Sequence, residues 1–326
     1  MASAVVVALA LAIAIVALSP VGGHAAGPKA PKGVRIAVIA RGIPLPTSFA
    51  FAPGGKVFVG AVDQDCGSHG CGPRGGVYLL GPKGSGHRVV SVATGTAVTW
   101  SAGRLLVATA GHLDAYAAFN GRTFARRSTL LTGLPTWVNG VAAGPNGRIW
   151  VTMGGDCDSC VPTAKLAQMV LSVAPEGGEP TIVARRLRQP YGIAFPARSS
   201  VPLVTVVGQD DLEPHPPPDA IVRATPGSDF GFPTCNWATG SSCARFTRPL
   251  TLLAPHTTPT GIAVIGATAY IGTYGSREIL RMPVGGGEPK PFVTGFSSSV
   301  VAVGAHQGRL YAGTLSGTIC RIDPLP

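Results

Sequence analysis

Three clusters of side chains in this sequence are of types that do chemistry. Arg188 and Gln189 stand together in Leu187-Arg188-Gln189-Pro190-Tyr191-Gly192-Ile193-Ala194-Phe195. A guanidinium presents a planar fork of donors that grips a carboxylate at two points. The alternative for Arg188 is a structural salt bridge from blade to blade. Asp210 and Asp211 are adjacent carboxylates ahead of Pro216-Pro217-Pro218-Asp219. Hard oxygen donors of this kind hold calcium, and they equally cap turns or pair with arginine. Cys157-Asp158-Ser159-Cys160 has the spacing of a redox dithiol or of half a zinc site. No strand-helix-strand pattern surrounds it, so a structural staple is the better reading. The sequence holds no Gly-x-Ser-x-Gly elbow, no Walker-type phosphate loop and no His-Glu-x-x-His.

The elements that must position these residues are short and repeated. A Pro or Gly turn, an apolar strand, a Gly-rich turn and two further strands recur along the chain. Clear copies begin at Phe49-Ala50-Phe51-Ala52-Pro53, at Val141-Ala142-Ala143-Gly144-Pro145, at Gly192-Ile193-Ala194-Phe195, at Gly261-Ile262-Ala263-Val264 and at Val300-Val301-Ala302-Val303. A weaker copy lies at Ala97-Val98-Thr99-Trp100. Six copies at spacings of roughly 40 to 70 residues predict an all-β, six-bladed β-propeller. Only Thr163 to Leu171 has any helical periodicity, and it is short. The last copy is one strand short, and residues 34–39 (Val34-Arg35-Ile36-Ala37-Val38-Ile39) have no blade of their own. Pairing the two would close the ring and remove an exposed edge. Residues 27–326 are therefore expected to form a single domain.

The run from Leu187 through Gly208-Gln209-Asp210-Asp211-Leu212 and the triple proline to Asp229-Phe230-Gly231-Phe232-Pro233 resembles the glucose/sorbosone dehydrogenase family. These are soluble quinoproteins that carry pyrroloquinoline quinone on a six-bladed propeller. Relatives read Leu-Arg-Asn-Pro at residues 187–190 and Gly-Trp-Pro at residues 231–233. The resemblance implies an oxidoreductase acting on an aldose, sorbosone or similar sugar, with a separate electron acceptor and with quinone and calcium as cofactors. It places Arg188 and Gln189 on the quinone, and Arg277, in Tyr274-Gly275-Ser276-Arg277, near a basic position of relatives. Asp210 and Asp211 match the family's acidic pair, which makes them the candidate metal ligands. The family's catalytic base is a His eight residues before a Gly-Pro-Asp-Gly turn. Counting back from Gly144-Pro145-Asn146-Gly147 reaches Thr136, whose hydroxyl is no base near neutral pH. His256, in Pro255-His256-Thr257-Thr258-Pro259-Thr260-Gly261, matches another His of sorbosone dehydrogenase-like members. It is the candidate substitute base, with a hydrogen-bonded turn residue as the alternative. Relatives continue Glu-Leu-Asn after Pro-Pro-Asp, where this chain has Ala220-Ile221-Val222. They also carry an Arg-Pro where Ser297-Ser298-Ser299 stands. These departures sustain a second reading, a non-catalytic propeller that binds a glycan or protein partner through its loop face.

Composition bounds the rest. The chain has 326 residues, 45 Gly, 30 Pro and only 13% charged residues, with 45% hydrophobic residues. That apolar content excludes a disordered chain of the same Gly and Pro usage. Residues 1–26 read as a secretory signal: an apolar run to Leu18, then Ser19-Pro20 and a small-residue stretch ending at Ala25-Ala26. No basic residue precedes the run, a departure that an uncleaved anchor or a misassigned start would also explain. The expected address is secreted or periplasmic. Seven cysteines predict local disulfides Cys66–Cys71, Cys157–Cys160 and Cys235–Cys243, with Cys320 free. The net charge of +11 is scattered and lacks interleaved aromatics, which argues against a nucleic-acid partner.

Overall fold

A computed structural model describes residues 27–63, 74–82, 84–92, 97–135, 138–155, 157, 159–210, 212, 214–238 and 242–325. The expected signal segment, Cys66 and Cys71, Thr136 and Asp211 lie outside the described residues.

The described strands form six sheets, each with a core of four antiparallel strands, in a six-bladed propeller. Blade one comprises Pro46–Ala52, Lys56–Ala61, Gly76–Leu80 and Gly86–Ser91. Blade two comprises Ala97–Ser101, Arg104–Thr109, Gly111–Phe119 and Phe124–Leu134. Blade three comprises Val138–Ala143, Ile149–Met153, Met169–Val173 and Thr181–Arg185, with Ser228–Asp229 added in parallel at its outer edge. Blade four comprises Gln189–Ala194, Leu203–Val207, Asp219–Arg223 and Thr251–Leu253. Blade five comprises Pro259–Ile265, Thr268–Thr273, Ile279–Pro283 and Lys290–Val293. Blade six comprises Val300–His306, Arg309–Thr314 and Ile319–Asp323, and takes its fourth strand, Arg35–Ala40, from the other end of the chain. This is the closure expected from the repeat pattern, with Arg35 opposite Asp323 and Val38 opposite Cys320. Among the described residues the one helical element is the single turn Pro53–Gly55. The segment with weak helical periodicity supplies instead a turn and the start of Met169–Val173.

Each sequence copy falls on the innermost strand of a blade, and these strands pack side by side around the axis. The second strands are apolar almost without interruption because a neighbouring blade covers both of their faces. Ile149–Met153 and Leu203–Val207 are buried at every position. The core is accordingly six apolar layers, one between each pair of blades. The inner ring is too tight for side chains at some points. A Cβ on Gly192 would lie 2.6 Å from the Thr260 carbonyl, and one on Gly261 would lie 2.4 Å from the Val303 nitrogen. Buried threonines then tie blade to blade. Thr205 Oγ1 donates to the Thr260 carbonyl at 2.6 Å, and Thr260 Oγ1 to the Val300 carbonyl at 2.7 Å.

The disulfides Cys157–Cys160 and Cys235–Cys243 are both formed. Cys320 is free and buried in the closing blade. Cys157–Cys160 closes a loop between two strands, with no helix start beside it, as a staple does. Among the described residues no helix is long and apolar enough to cross a membrane.

Candidate functional site

Strand order decides which loops meet. Every innermost strand begins, and every second strand ends, on the same face of the ring. The connections 186–188, 208–218, 254–258 and 274–278 therefore emerge together, although they span 93 residues of chain. These four connections carry Arg188, Asp210, His256 and Arg277.

Three consecutive connections around blade four build the centre. Arg185, Arg186 and Arg188 look alike in sequence, but they diverge. Arg185 Nε lies 2.9 Å from Asp229 Oδ2, and Arg186 grips the same carboxylate with Nε and Nη2. Arg186, at φ +56°, turns the chain; Leu187 anchors it in the core at 1% exposure. That turn sends Arg188 the other way, onto the loop face. Its Nη1 donates to the Gly208 carbonyl at 2.5 Å, and its Nη2 lies 3.6 Å from Asp210 Oδ2. The guanidinium is largely sequestered, at 14% exposure, whereas Asp210 and His256 are half-exposed. His256 Nδ1 faces Asp210 Oδ1 at 3.7 Å. Asp210 thus stands between a fixed cation and an imidazole.

Asp219 lies beneath this triad at 2% exposure. Its Oδ1 accepts from the Gly208 N–H at 2.6 Å and its Oδ2 from the Thr258 N–H at 2.7 Å. Burial pushes its carboxyl above the ordinary value. The charge of Asp210 adds to that push, while the two N–H contacts and His256 pull the other way. The triple proline and Asp219 were visible in the sequence, but nothing there marked Asp219 as the residue beneath the site.

The other candidates are placed differently. Gln189 Oε1 accepts from the Gly155 N–H at 3.1 Å, so its amide joins blade four to the loop of blade three. Arg277 is exposed. Its turn abuts that of His256 through Tyr274 N to Thr258 O at 3.0 Å and Gly275 N to Thr257 O at 3.4 Å. A pocket of about 40 Å³ runs under Arg188 among Leu187, Phe230, Phe232 and Trp237. It has room for a few water molecules and not for a sugar or a quinone. Behind it, Cys235, Cys243 and Phe246 form a small apolar cluster, with Arg186 4.8 Å over the Phe246 ring.

The same architecture occurs in solved structures. The chain superposes on an iodide structure of Trichoderma reesei carbohydrate-active enzymes family AA12 with a TM-score of 0.79 at 16% identity, over 94% of this chain and 100% of that one. On the PQQ-bound aldose sugar dehydrogenase of Streptomyces coelicolor the TM-score is 0.71 at 18% identity, over 90% of this chain and 99% of that one. On the holo pyranose dehydrogenase PQQ domain of Coprinopsis cinerea it is 0.74 at 14% identity, over 91% and 97%. No family model matches the chain. No curated protein matches it in sequence. At these identities the likeness is one of fold.

Proposed function

We propose that this chain is an exported, quinone-dependent sugar dehydrogenase whose site is the loop face around Arg188, Asp210 and His256. The observation that carries the reading is the meeting of these three residues on a propeller of the kind found in PQQ-bound sugar dehydrogenases. The donor set suits pyrroloquinoline quinone, a tricarboxylate. Arg188 and the neighbouring turn of Arg277 bring guanidinium groups to this face, and guanidinium is the natural partner of a carboxylate.

Bound at this face, pyrroloquinoline quinone would supply a hydride acceptor for oxidation of a sugar carbinol. Arg188 would hold and orient it through one of its carboxylates. His256 takes the hydroxyl proton at Nε2. Its Nδ1 side faces Asp210, which favours the tautomer with Nδ1–H toward the carboxylate and the Nε2 lone pair toward substrate. Asp210 also stabilises the imidazolium that results. Gln189 belongs to the proposed cofactor contacts through its neighbourhood, and Arg277 through its turn.

Calcium is a separate matter. In a calcium structure of Trichoderma reesei family AA12 the fold recurs with a TM-score of 0.74, and the resemblance assigns the metal to Asp210 and Asp211. The described residues alone do not make such a site. Asp210 faces the Arg188 guanidinium and the His256 imidazole, both Asp219 oxygens accept backbone N–H groups, and no three His, Cys, Asp or Glu side chains gather among the described residues. No step here runs through a metal.

The binding-module alternative has one observation in its favour: the Gln189 amide is engaged within the fold. Calorimetry separates the two. Micromolar binding of pyrroloquinoline quinone to the purified chain, with reduction of a dye in the presence of an aldose, is the expected result. The absence of binding, with and without calcium, leaves the binding module as the function.

A further inference from the structure

We infer that Asp219 is the positioning residue of this site, a buried clamp that holds the loop of Asp210 and the turn of His256 in one fixed relation. The inference rests on the reading of Arg188, Asp210 and His256 as a site, and deepens it.

Asp219 is the first residue of the third strand of blade four, and among the described residues no cation pairs with it. A buried carboxylate must be compensated, and here two backbone N–H groups do so. They come from opposite sides in sequence, Gly208 eleven residues before Asp219 and Thr258 thirty-nine residues after it. Each belongs to a segment that presents a site residue. The Gly208 carbonyl receives Arg188 Nη1. Gly208 is thus held at both its N–H and its carbonyl, and Asp210 follows two residues later.

The second segment is strained. His256 has φ +59° and Thr258 φ +49°, two left-handed non-glycine residues within three positions. Such a conformation is unfavourable for a residue with a side chain and persists only where the surroundings impose it. The surroundings here are the Asp219 carboxylate on the Thr258 N–H and the Tyr274 N–H on the Thr258 carbonyl. With that turn held, the His256 ring faces Asp210. Without it, the turn is free to relax to ordinary φ and carry the ring away.

The test uses the full chain without ligand, so its outcome is independent of whether quinone binds. In the wild type, the Gly208 and Thr258 amides should exchange with solvent deuterium as slowly as strand amides; exchange as fast as that of open loops would overturn the inference without any variant. Asp219→Asn keeps the volume but aims an NH₂ at one of the two N–H groups. Segments 206–210 and 254–258 should then exchange about tenfold faster or more, with the inner strands of blades two and three unchanged. The side-chain ¹⁵N–¹H signals of His256 should shift. They should return toward the wild-type position in Asp219→Asn combined with Thr258→Gly, because glycine adopts positive φ unaided. An unmoved His256 signal, or uniformly faster exchange in all blades, would show that Asp219 is only a packing residue. Should the Asn variant not fold, the wild-type exchange rates decide.

Discussion

His256 Nδ1 faces Asp210 Oδ1 at 3.7 Å across the gap between two connections of blade four. The distance is that of an ion pair and exceeds a hydrogen bond. The pair resembles a base and its orienting carboxylate, and both partners are open to solvent.

His256→Ala should therefore lower turnover in any dye-reduction assay by about 10² or more while leaving quinone affinity nearly unchanged. Asp210→Asn should lower it by a smaller factor, since it alters orientation and charge but leaves the base. Steady-state kinetics beside calorimetry check both. Equal losses of affinity and turnover in His256→Ala would make His256 a cofactor anchor instead.

Arg188 is the proposed anchor of the cofactor. Arg188→Ala should weaken quinone binding by roughly 2 kcal/mol, about thirtyfold, the loss expected for a charge-assisted contact. Arg188→Lys retains the charge and loses the fork, so it should recover only part of that affinity. Full affinity in the alanine variant would move the cofactor elsewhere on the face.

Asp229 gathers Arg185 and Arg186 at the rim. Burial pushes its carboxyl up, but the hydrogen bond and charge of Arg186, followed by those of Arg185, outweigh it, and the net direction is down. A folded-state value below the unfolded one means that the unfolded chain takes up the proton first. The stabilisation is then complete above the unfolded-state value and is lost as pH falls through the folded one. Asp229→Asn should reduce stability near pH 7 by about 1 kcal/mol, the scale of exposed pairs. The difference from wild type should shrink below about pH 4 and with added salt. Denaturant titrations at several pH values measure it; a difference independent of pH would assign the effect to the loop hydrogen bonds alone.

Gly192→Ala tests the inner ring. Its Cβ would meet backbone on the next blade, the Thr260 carbonyl at 2.6 Å and the Ile262 nitrogen at 2.8 Å. Backbone yields little, so the cost should be about 1–3 kcal/mol or more. Gly103→Ala meets nothing within 4 Å, and its φ of +75° makes it a control for backbone strain alone. Equal melting temperatures for the two variants would mean that close approach contributes nothing.

Much of the architecture was legible because it repeats. Gly192-Ile193-Ala194 and Gly261-Ile262-Ala263 recur since each inner strand must approach its neighbour closely and bury the same apolar positions. The spare strand at residues 34–39 and the short final blade pointed to each other because an unpaired edge is unfavourable. The local disulfides Cys157–Cys160 and Cys235–Cys243 could be read from proximity alone. The site was legible only in its ingredients. Arg185, Arg186 and Arg188 are equivalent in sequence, and only the left-handed turn at Arg186 sends one toward Gly208 and two toward Asp229. Gln189 reads in sequence as an amide beside Arg188, and only the fold shows its Oε1 accepting from the Gly155 N–H of the neighbouring blade. Asp219 reads as the end of a proline loop until two distant backbone N–H groups converge on it. Local spacing constrains strands and turns through short-range sterics and burial, whereas meetings between residues 188, 210, 219 and 256 depend on closure of the ring, which no local pattern encodes.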